Sequence, residues 1–255
     1  MLIERPPDLD GLKQQFDADG FVRIERFLDE QRLQEVENEL ALYLREIAPN
    51  VPDSDIVYEQ DKLTDGCRAV RNLWRMEEHS EFFGDLSRKL GFAWIGPLVN
   101  GDPVSMGVEL FAKPGLVGSA VPYHQDNAYF NLEPPDALTC WIALDASSKE
   151  NGCVYYARGS HRTGLRRHKP SGVSGNSMTV AQPPESGEFE EVPGILPRGG
   201  AILHHCLLLH RSERNLSSQS RRGLLLVFRG SHSNVDPDRA KTYQTVVAHL
   251  AVQRS

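Results

Sequence analysis

A histidine and an aspartate stand two positions apart in the segment Tyr123-His124-Gln125-Asp126-Asn127. If this segment is an extended strand, residues i and i+2 project from the same face, so the imidazole of His124 and the carboxylate of Asp126 converge on one point. Two histidines and one carboxylate, with the remaining positions open, are the ligand set of non-haem Fe(II) oxygenases. The pair alone is a weak signal, because His-x-Asp arises by chance in many chains, and a third ligand must come from elsewhere.

The third ligand has three candidates on or next to one apolar run at 201–209. His204 and His205 lie inside this run, and His210 follows it directly. A strand that ended at His210 would deliver its imidazole to the mouth of a barrel, so the position favours His210.

Composition and charge limit the class of protein. The 255 residues suffice for one large domain, and 40% hydrophobic with 25% charged residues is ordinary for a globular protein. The net charge of -7 argues against a nucleic-acid partner. Neither an apolar signal core nor a run of 18 apolar residues is present, so we expect no membrane partner and a cytoplasmic location. The four cysteines form no CxxC pair, which favours reduced thiols over a zinc site.

The secondary structure predicted to position these side chains differs between the first hundred residues and the rest of the chain. Residues 9–19 predict a helix, 21–24 a strand and 77–90 a further helix, while 50–76 looks loop-rich. Asp29 is the predicted N-cap of a helix whose apolar residues recur at steps of three and four.

Short apolar runs separated by turn formers follow residue 100, and they predict an all-β barrel or sandwich. These runs cover 104–112, 137–144, 152–157, 201–209 and 224–228. We therefore expect a single domain over 1–255, with helical support over about 1–100 and a β core over about 101–230. The Gly-, Ser- and Pro-rich stretch 171–190 is either a mobile lid over the site or a plain surface insertion.

The motifs in their order and spacing over residues 105–229 resemble the phytanoyl-CoA dioxygenase family of Fe(II)/2-oxoglutarate oxygenases. The segments that carry the resemblance are Tyr123-His124-Gln125-Asp126, Trp141-Ile142-Ala143-Leu144-Asp145, Glu150-Asn151-Gly152-Cys153, Arg158-Gly159-Ser160-His161-Arg162, Gly200-Ala201 and the stretch 210–221 with Ser212, Asn215 and Ser217. The family commonly has proline where this chain has Arg158, a position with an expected structural role. The resemblance implies a mainly β fold with flanking helices, the double-stranded β-helix or jelly roll.

The same resemblance implies a set of metal and cosubstrate ligands. His124, Asp126 and His210 would hold Fe(II), and Arg221, eleven residues after His210, would pair with the distal carboxylate of 2-oxoglutarate. An arginine suits this role because its planar fork matches a carboxylate and stays charged. Arg222 is the alternative clamp, although it would point to the other face of a strand.

Three further residues are carried over from the family. Ser212 would add a hydroxyl to the same carboxylate. Lys113 falls where some relatives contact the cosubstrate, and its alternative is a surface turn lysine. Trp141 either lines the pocket or fills the barrel core, and we favour the core.

The implied function is oxygenation of a small molecule. An Fe(II)- and 2-oxoglutarate-dependent dioxygenase uses O2 to hydroxylate a C–H group and releases succinate and CO2. Relatives that halogenate lack the carboxylate ligand, so Asp126 favours hydroxylation or a related oxidation. The alternative function is a non-catalytic jelly-roll protein that binds a metal or a small molecule. We expect Gln125, between the ligands, to face away from the metal and to tolerate replacement. The sequence predicts neither the substrate nor the oligomeric state.

Overall fold

Six helices frame the protein in the computed structural model, which describes residues 8–63, 66–90 and 95–252. Both ends of the expected 1–255 domain therefore lie outside the described residues. The helices are α1 (Leu9–Asp19), α2 (Glu30–Leu42), α3 (Met76–His79), α4 (Glu81–Leu90), α5 (Asn127–Phe130) and α6 (Pro237–Val252). The carboxylate of Asp29 accepts a hydrogen bond from the backbone N–H of Arg32 at 2.7 Å, which confirms the predicted N-cap of α2.

Fifteen strands are present in the described residues, besides a π-helix (Tyr43–Ile47) and short 3-10 helices (Ala48–Asn50 and Ser160–Thr163). They are β1 (Phe21–Ile24), β2 (Ile56–Lys62), β3 (Arg68–Leu73), β4 (Pro103–Lys113), β5 (Val121–His124), β6 (Leu132–Glu133), β7 (Ala137–Ala143), β8 (Val154–Ala157), β9 (His168–Val173), β10 (Asn176–Val180), β11 (Glu191–Pro193), β12 (Ala201–His205), β13 (His210–Ser212), β14 (Arg221–Gly230) and β15 (Asn234–Val235). Most of the predicted apolar runs are strands, in agreement with their alternation and turn punctuation.

The two main sheets are antiparallel and pack face to face. The large sheet has the order β1-β12-β7-β14-β4-β3-β2, and the small sheet has the order β11-β8-β13-β5. One buried cluster joins Trp141 and Leu225 of the large sheet to Tyr156 of the small sheet, so this cluster fills the space between the sheets. The predicted jelly-roll fold is confirmed.

The outer face of the large sheet packs on the helices. Along β14, Leu224 and Leu226 are fully buried in the cluster that holds Val36 of α2 and Phe83 of α4, whereas Leu225 points into the barrel. Full burial of such a side chain contributes roughly 1.5–3 kcal/mol. Alternate side chains of β14 thus pack against the helices on one face of the sheet and line the barrel on the other.

Two sequence predictions about elements are wrong. The segment 50–76 is not mainly loop, because β2 and β3 within it extend the large sheet. Together with β1, the region expected to be helical support over about 1–100 therefore supplies three strands of that sheet. The apolar run at 201–209 is not one strand either. β12 ends at His205, a turn follows, and His210 begins the next strand.

Two cross-strand pairs bring the predicted site residues to one end of the barrel. His210 at the start of β13 lies opposite His124 at the end of β5, and Arg221 at the start of β14 lies opposite Lys113 at the end of β4. In the described residues the four cysteines are not joined by disulfides. Among the described helices, none combines the length and the apolar character needed to span a membrane.

Candidate metal centre and anion pocket

The side chains of His124, Asp126 and His210 meet at the mouth of the barrel. The imidazole rings of the two histidines lie 4.1 Å apart between centroids. Oδ1 of Asp126 lies 3.4 Å from Nε2 of His210 and 3.9 Å from Nε2 of His124. One potential ligand atom from each residue therefore falls within 4.8 Å of the others, the spacing that one metal ion needs.

The route by which Asp126 reaches the site differs from the sequence prediction. His124 is the last residue of β5, and Asp126 has helical backbone angles of φ -60° and ψ -32° at the start of α5. The two side chains thus do not share a strand face. They converge because the chain turns from strand into helix between them.

Backbone carbonyls hold both imidazole rings in one tautomer. Nδ1 of His124 donates to the carbonyl of Pro122, and Nδ1 of His210 donates to the carbonyl of Leu208, each at 2.9 Å. Because a carbonyl oxygen only accepts, each Nδ1 must carry the proton, and each Nε2 keeps its lone pair towards Asp126. This is the protonation state that a metal ligand requires.

Two further side chains orient the carboxylate of Asp126. The hydroxyl of Thr139 donates to Oδ2 at 2.7 Å, and Nε2 of His204 donates to the same oxygen at 3.1 Å. Oδ1 remains directed at His124 and His210. Sequence reasoning missed Thr139 and considered His204 only as a ligand. His204 lies on β12 of the large sheet, one turn along the chain before His210 on β13 of the small sheet.

Burial and charge set the protonation of the three residues. Burial lowers the pKa of His124, and burial followed by the neighbouring His124 lowers the pKa of His210 well below its usual range. For Asp126, burial acts to raise the pKa, but the three histidines and the hydrogen bond from His204 outweigh it and lower the pKa below its usual range. Neutral histidines beside an ionised carboxylate are the form that binds a divalent cation.

An unpaired arginine lies in the same cavity. Arg221 is buried, with 3% of its surface exposed, and its guanidinium makes no hydrogen bond or ion pair with any residue that the structure describes. It lies over the ring of Trp141, 5.2 Å from the centroid. Burial lowers the pKa of Arg221 to about 10, so the group stays cationic at neutral pH. A buried cation with free donors is a binding site for an anion.

Arg222 has the opposite environment. It points away from the barrel, and its guanidinium donates to Asp145 and to Glu37 of α2 at 2.6–2.9 Å. These donors are already satisfied, so the geometry favours Arg221 over Arg222 as the residue that receives an anion.

The other predicted residues lie around Arg221. Ser212 is buried and lines the same cavity. Trp141 contributes both to the barrel core and to the cavity wall, and a Cβ at Gly223 would lie 2.2 Å from its ring, so only glycine fits there. Lys113 is not a surface lysine. It is buried, and Nζ donates to the carbonyls of Ser119, at 2.7 Å, and Glu213.

Two polar groups of the cavity wall were not predicted from the sequence. The hydroxyl of Tyr156 and the side-chain oxygen of Asn72 are buried without a hydrogen-bond partner among the described residues. Tyr156 stacks beside His210 at 6.0 Å between ring centroids. Free polar groups inside a cavity are the positions where a bound ligand finds its partners.

The expectation for Gln125 is half right. Its side chain does face away from the three converging groups, but it is fully buried. Nε2 donates to the carbonyls of Gly164 and Leu207, and Oε1 accepts from the backbone N–H of Arg166. Gln125 therefore ties the site to the neighbouring loops, and free replacement is not expected.

The stretch 171–190 is more ordered than a plain loop, because β9 and β10 form a hairpin. Gly175 and Asn176 at its turn line the cavity. Gly175 has φ +73°, and a Cβ there would lie 2.2 Å from the side-chain oxygen of Asn72, so the hairpin backbone approaches the opposite wall closely.

A comparison with family models matches residues 16–223 to the family described as phytanoyl-CoA dioxygenase (PhyH). The chain belongs to the phytanoyl-CoA dioxygenase family. A relative from Arabidopsis thaliana named phytanoyl-CoA dioxygenase is 35% identical over 151 residues, which cover 58% of this chain and 50% of that protein. The chain spans about half the length of the first curated relatives that it matches.

Solved structures with the same fold carry iron and a keto acid. The epimerase SnoN, in complex with Fe3+, alpha ketoglutarate and nogalamycin RO, matches with a TM-score of 0.72 at 19% identity, over 91% of this chain and 87% of that chain. EctD from S. alaskensis with bound Fe matches with a TM-score of 0.70 at 19% identity, over 89% of this chain and 78% of that chain. At this identity the similarity supports the jelly-roll fold that the family predicts.

Proposed function

We propose that this protein is an Fe(II)- and 2-oxoglutarate-dependent dioxygenase that hydroxylates a C–H group of a small molecule, as one domain over 1–255. In this proposal His124, Asp126 and His210 are the iron ligands, and Arg221 holds the distal carboxylate of 2-oxoglutarate. Ser212 adds a hydroxyl beside it, Lys113 lies opposite Arg221 on the paired strand, and Trp141 supports the guanidinium.

The observation that carries the proposal is one cavity with two complementary halves. One half has two imidazole Nε2 atoms and one carboxylate oxygen with their other polar atoms already hydrogen-bonded. The other half has the buried and unpaired guanidinium of Arg221. A divalent cation fits the first half, and a carboxylate fits the second. A dicarboxylic keto acid that spans both halves is the ligand this arrangement suits.

The chain's own residues have defined tasks in this reaction. Fe(II) held by His124, Asp126 and His210 would, with bound 2-oxoglutarate, supply activation of O2 coupled to decarboxylation of the cosubstrate to succinate and CO2. The carbonyls of Pro122 and Leu208 keep the ligand nitrogens unprotonated. Arg221 orients the cosubstrate by its distal carboxylate, and the apolar barrel wall around Leu225 excludes water. Asp126 would supply a carboxylate to the ligand set, and by the family resemblance this favours oxygen transfer over halogenation.

The alternative function is binding of a metal or small molecule without catalysis. A non-catalytic protein has no evident use for an unpaired arginine beside a complete ligand set, and this favours the enzyme. Binding of iron without 2-oxoglutarate affinity and without succinate formation would support the alternative.

The hairpin of β9 and β10 is proposed as a lid over the substrate side of the cavity. Limited proteolysis within 171–190 should slow when Fe(II), 2-oxoglutarate and substrate are present. Unchanged cleavage would support a fixed insertion instead.

The test of the enzyme is succinate formation from 2-oxoglutarate in air, with and without Fe(II). Wild-type protein should release succinate slowly even without substrate, and a small-molecule screen should raise that rate. Asp126→Ala should abolish it, whereas Asp53→Ala, which removes an exposed carboxylate, should not. Equal succinate release by wild type and Asp126→Ala would refute the proposal.

A further inference from the structure

The substrate side of the cavity has a wall formed by β3 and β4. In the register of these strands Asn72 lies opposite Phe111, and Leu73 lies opposite Leu110. Leu73 and Leu110 are buried on the helix side, whereas Asn72 and Phe111 line the cavity. Residues of β4 two positions from Phe111 therefore lie on the same inner face of the strand.

Glu109 is the residue of β4 that this alternation directs inward. It lies directly opposite Leu225 on β14, and Leu225 lines the cavity. The carboxyl group of Glu109 is partly buried and makes no hydrogen bond or ion pair within the described chain. The carboxyl oxygens keep access to solvent, so a ligand that enters can take the place of water at them.

The charges around Glu109 leave it without a counter-ion. Burial raises the pKa of Glu109 to about 8, and the negative charges of Asp126 and Glu77 act in the same direction. Arg75 is the opposing cation, but its guanidinium is already bonded to Asp55. The surroundings therefore favour either a proton or an added cation at this carboxyl.

Aromatic side chains lie near Glu109. Trp74 packs edge-on against Phe111 at 6.3 Å between ring centroids. Tyr243 of α6 lies near enough for the charge of Glu109 to raise its pKa, after the larger effect of burial. A ligand that reached Glu109 would thus lie near aromatic rings, whose faces attract a positive charge.

We propose that Glu109 determines substrate specificity by binding a cationic nitrogen, an ammonium or a guanidinium, of a small molecule that lies against Phe111. This inference rests on the proposed function, because it assigns the substrate class of that same cavity. A charge-assisted hydrogen bond to Glu109 would fix one end of the substrate, and the rest would extend towards the metal ligands.

The test compares three probes of one shape on the anaerobic protein loaded with Fe(II) and 2-oxoglutarate. The probes are 2-phenylethylammonium, its neutral analogue 2-phenylethanol and the anion 3-phenylpropionate, and calorimetry measures their binding. The cation should bind about 10- to 100-fold more tightly than the neutral analogue. Equal affinities, a preference for the alcohol or the anion, or no binding of the cation would overturn the inference.

Variants assign the preference to the carboxyl itself. Glu109→Gln should remove the preference for the cation, while Glu78→Gln, which neutralises an exposed carboxylate of α3, should retain it. A preference that persists in Glu109→Gln would contradict the assignment. The wild-type comparison of probes stands even if Glu109→Gln fails to fold.

The outcome separates this inference from the proposed function. If 2-oxoglutarate fails to bind wild-type protein in the presence of Fe(II), the dioxygenase proposal fails. If 2-oxoglutarate binds and the cation preference is absent, only the role of Glu109 fails.

Discussion

Replacing Arg221 should make the ligand-free protein more stable while it abolishes cosubstrate binding. Arg221 is an unpaired cation with 3% of its surface exposed. Burial lowers its pKa from the usual 12.5 to about 10. At ~1.36 kcal/mol per pH unit, this shift corresponds to about 3 kcal/mol of lost stability. A methionine of similar length fills the space without a charge.

The sign of this effect follows from the direction of the shift. A cation whose pKa is lower in the folded state destabilises the fold fully below about pH 10, and the cost is relieved as the pH rises towards 12.5. At pH 7.5 Arg221 is fully protonated, so the whole destabilisation of the fold is present. The lost stacking on Trp141 opposes the gain by about 0.5–2 kcal/mol. We therefore expect Arg221→Met to raise the free energy of unfolding by about 1–3 kcal/mol.

Urea denaturation at pH 7.5, under anaerobic conditions with Fe(II), measures both effects at once. Saturating 2-oxoglutarate should stabilise wild-type protein by about 2.7 kcal/mol at 100 times its Kd. It should leave Arg221→Met unchanged. The matched control is Arg222→Met, which breaks the contacts with Asp145 and Glu37. It should lose about 1–3 kcal/mol and keep the response to 2-oxoglutarate.

The reverse pattern would refute this reasoning. If Arg221→Met were less stable than wild type and still responded to 2-oxoglutarate, the buried guanidinium would be structural. If Arg222→Met lost the response, the clamp would be the neighbouring arginine.

Three further predictions concern the groups around the site. His204→Phe and Thr139→Val should each weaken Fe(II) affinity about 10- to 100-fold, although all three ligand residues remain. A competition titration measures this affinity, and an unchanged value would mean that neither side chain orients Asp126. Gln125→Ala should lower the free energy of unfolding by about 2–4 kcal/mol in urea denaturation, because buried hydrogen bonds are lost. An unchanged free energy of unfolding would mean that the position tolerates replacement, as the sequence predicted. Glu109 has a pKa raised from 4.5 to about 8, so its contribution to stability is full below pH 4.5 and is lost as the pH rises through 8. Thermal unfolding of Glu109→Gln should therefore show a gain over wild type of roughly 2 kcal/mol at pH 9, after discounting for partial exposure, and little at pH 5.

The sequence predicted the converging residues well because their chemistry is specific. His124, Asp126, His210 and Arg221 combine residue types and spacings that few other functions require, and the structure brings all four to one cavity. The β core was predictable too, since apolar alternation and turn formers mark strands that are buried on at least one face.

The strands β2 and β3 were missed for a physical reason. β3 buries Arg71 and Asn72, with exposed fractions of 5% and 3%, where an ordinary strand would bury apolar residues. These polar side chains face the cavity, and Arg71 pairs there with Glu59 of β2. A wall that serves a polar site does not show the apolar alternation from which strands are recognised.

The helical conformation of Asp126 and the turn between β12 and His210 were not predicted, because both depend on local changes of chain direction. Residues 124–131 contain no glycine or proline that would mark the change from strand to helix. The run at 201–209 stays apolar through its turn, since Cys206, Leu207, Leu208 and Leu209 are all buried. Hydrophobicity alone does not distinguish a buried turn from a strand.

The central claim is that one cavity binds Fe(II) through His124, Asp126 and His210 and binds 2-oxoglutarate through Arg221. Its most direct test is an anaerobic titration of Fe(II) into the protein with 2-oxoglutarate, followed by visible absorption. We expect a weak charge-transfer band that saturates near one equivalent of iron, requires both components and is lost in His210→Ala. A wild-type protein that takes up iron without this band and without binding 2-oxoglutarate would contradict it.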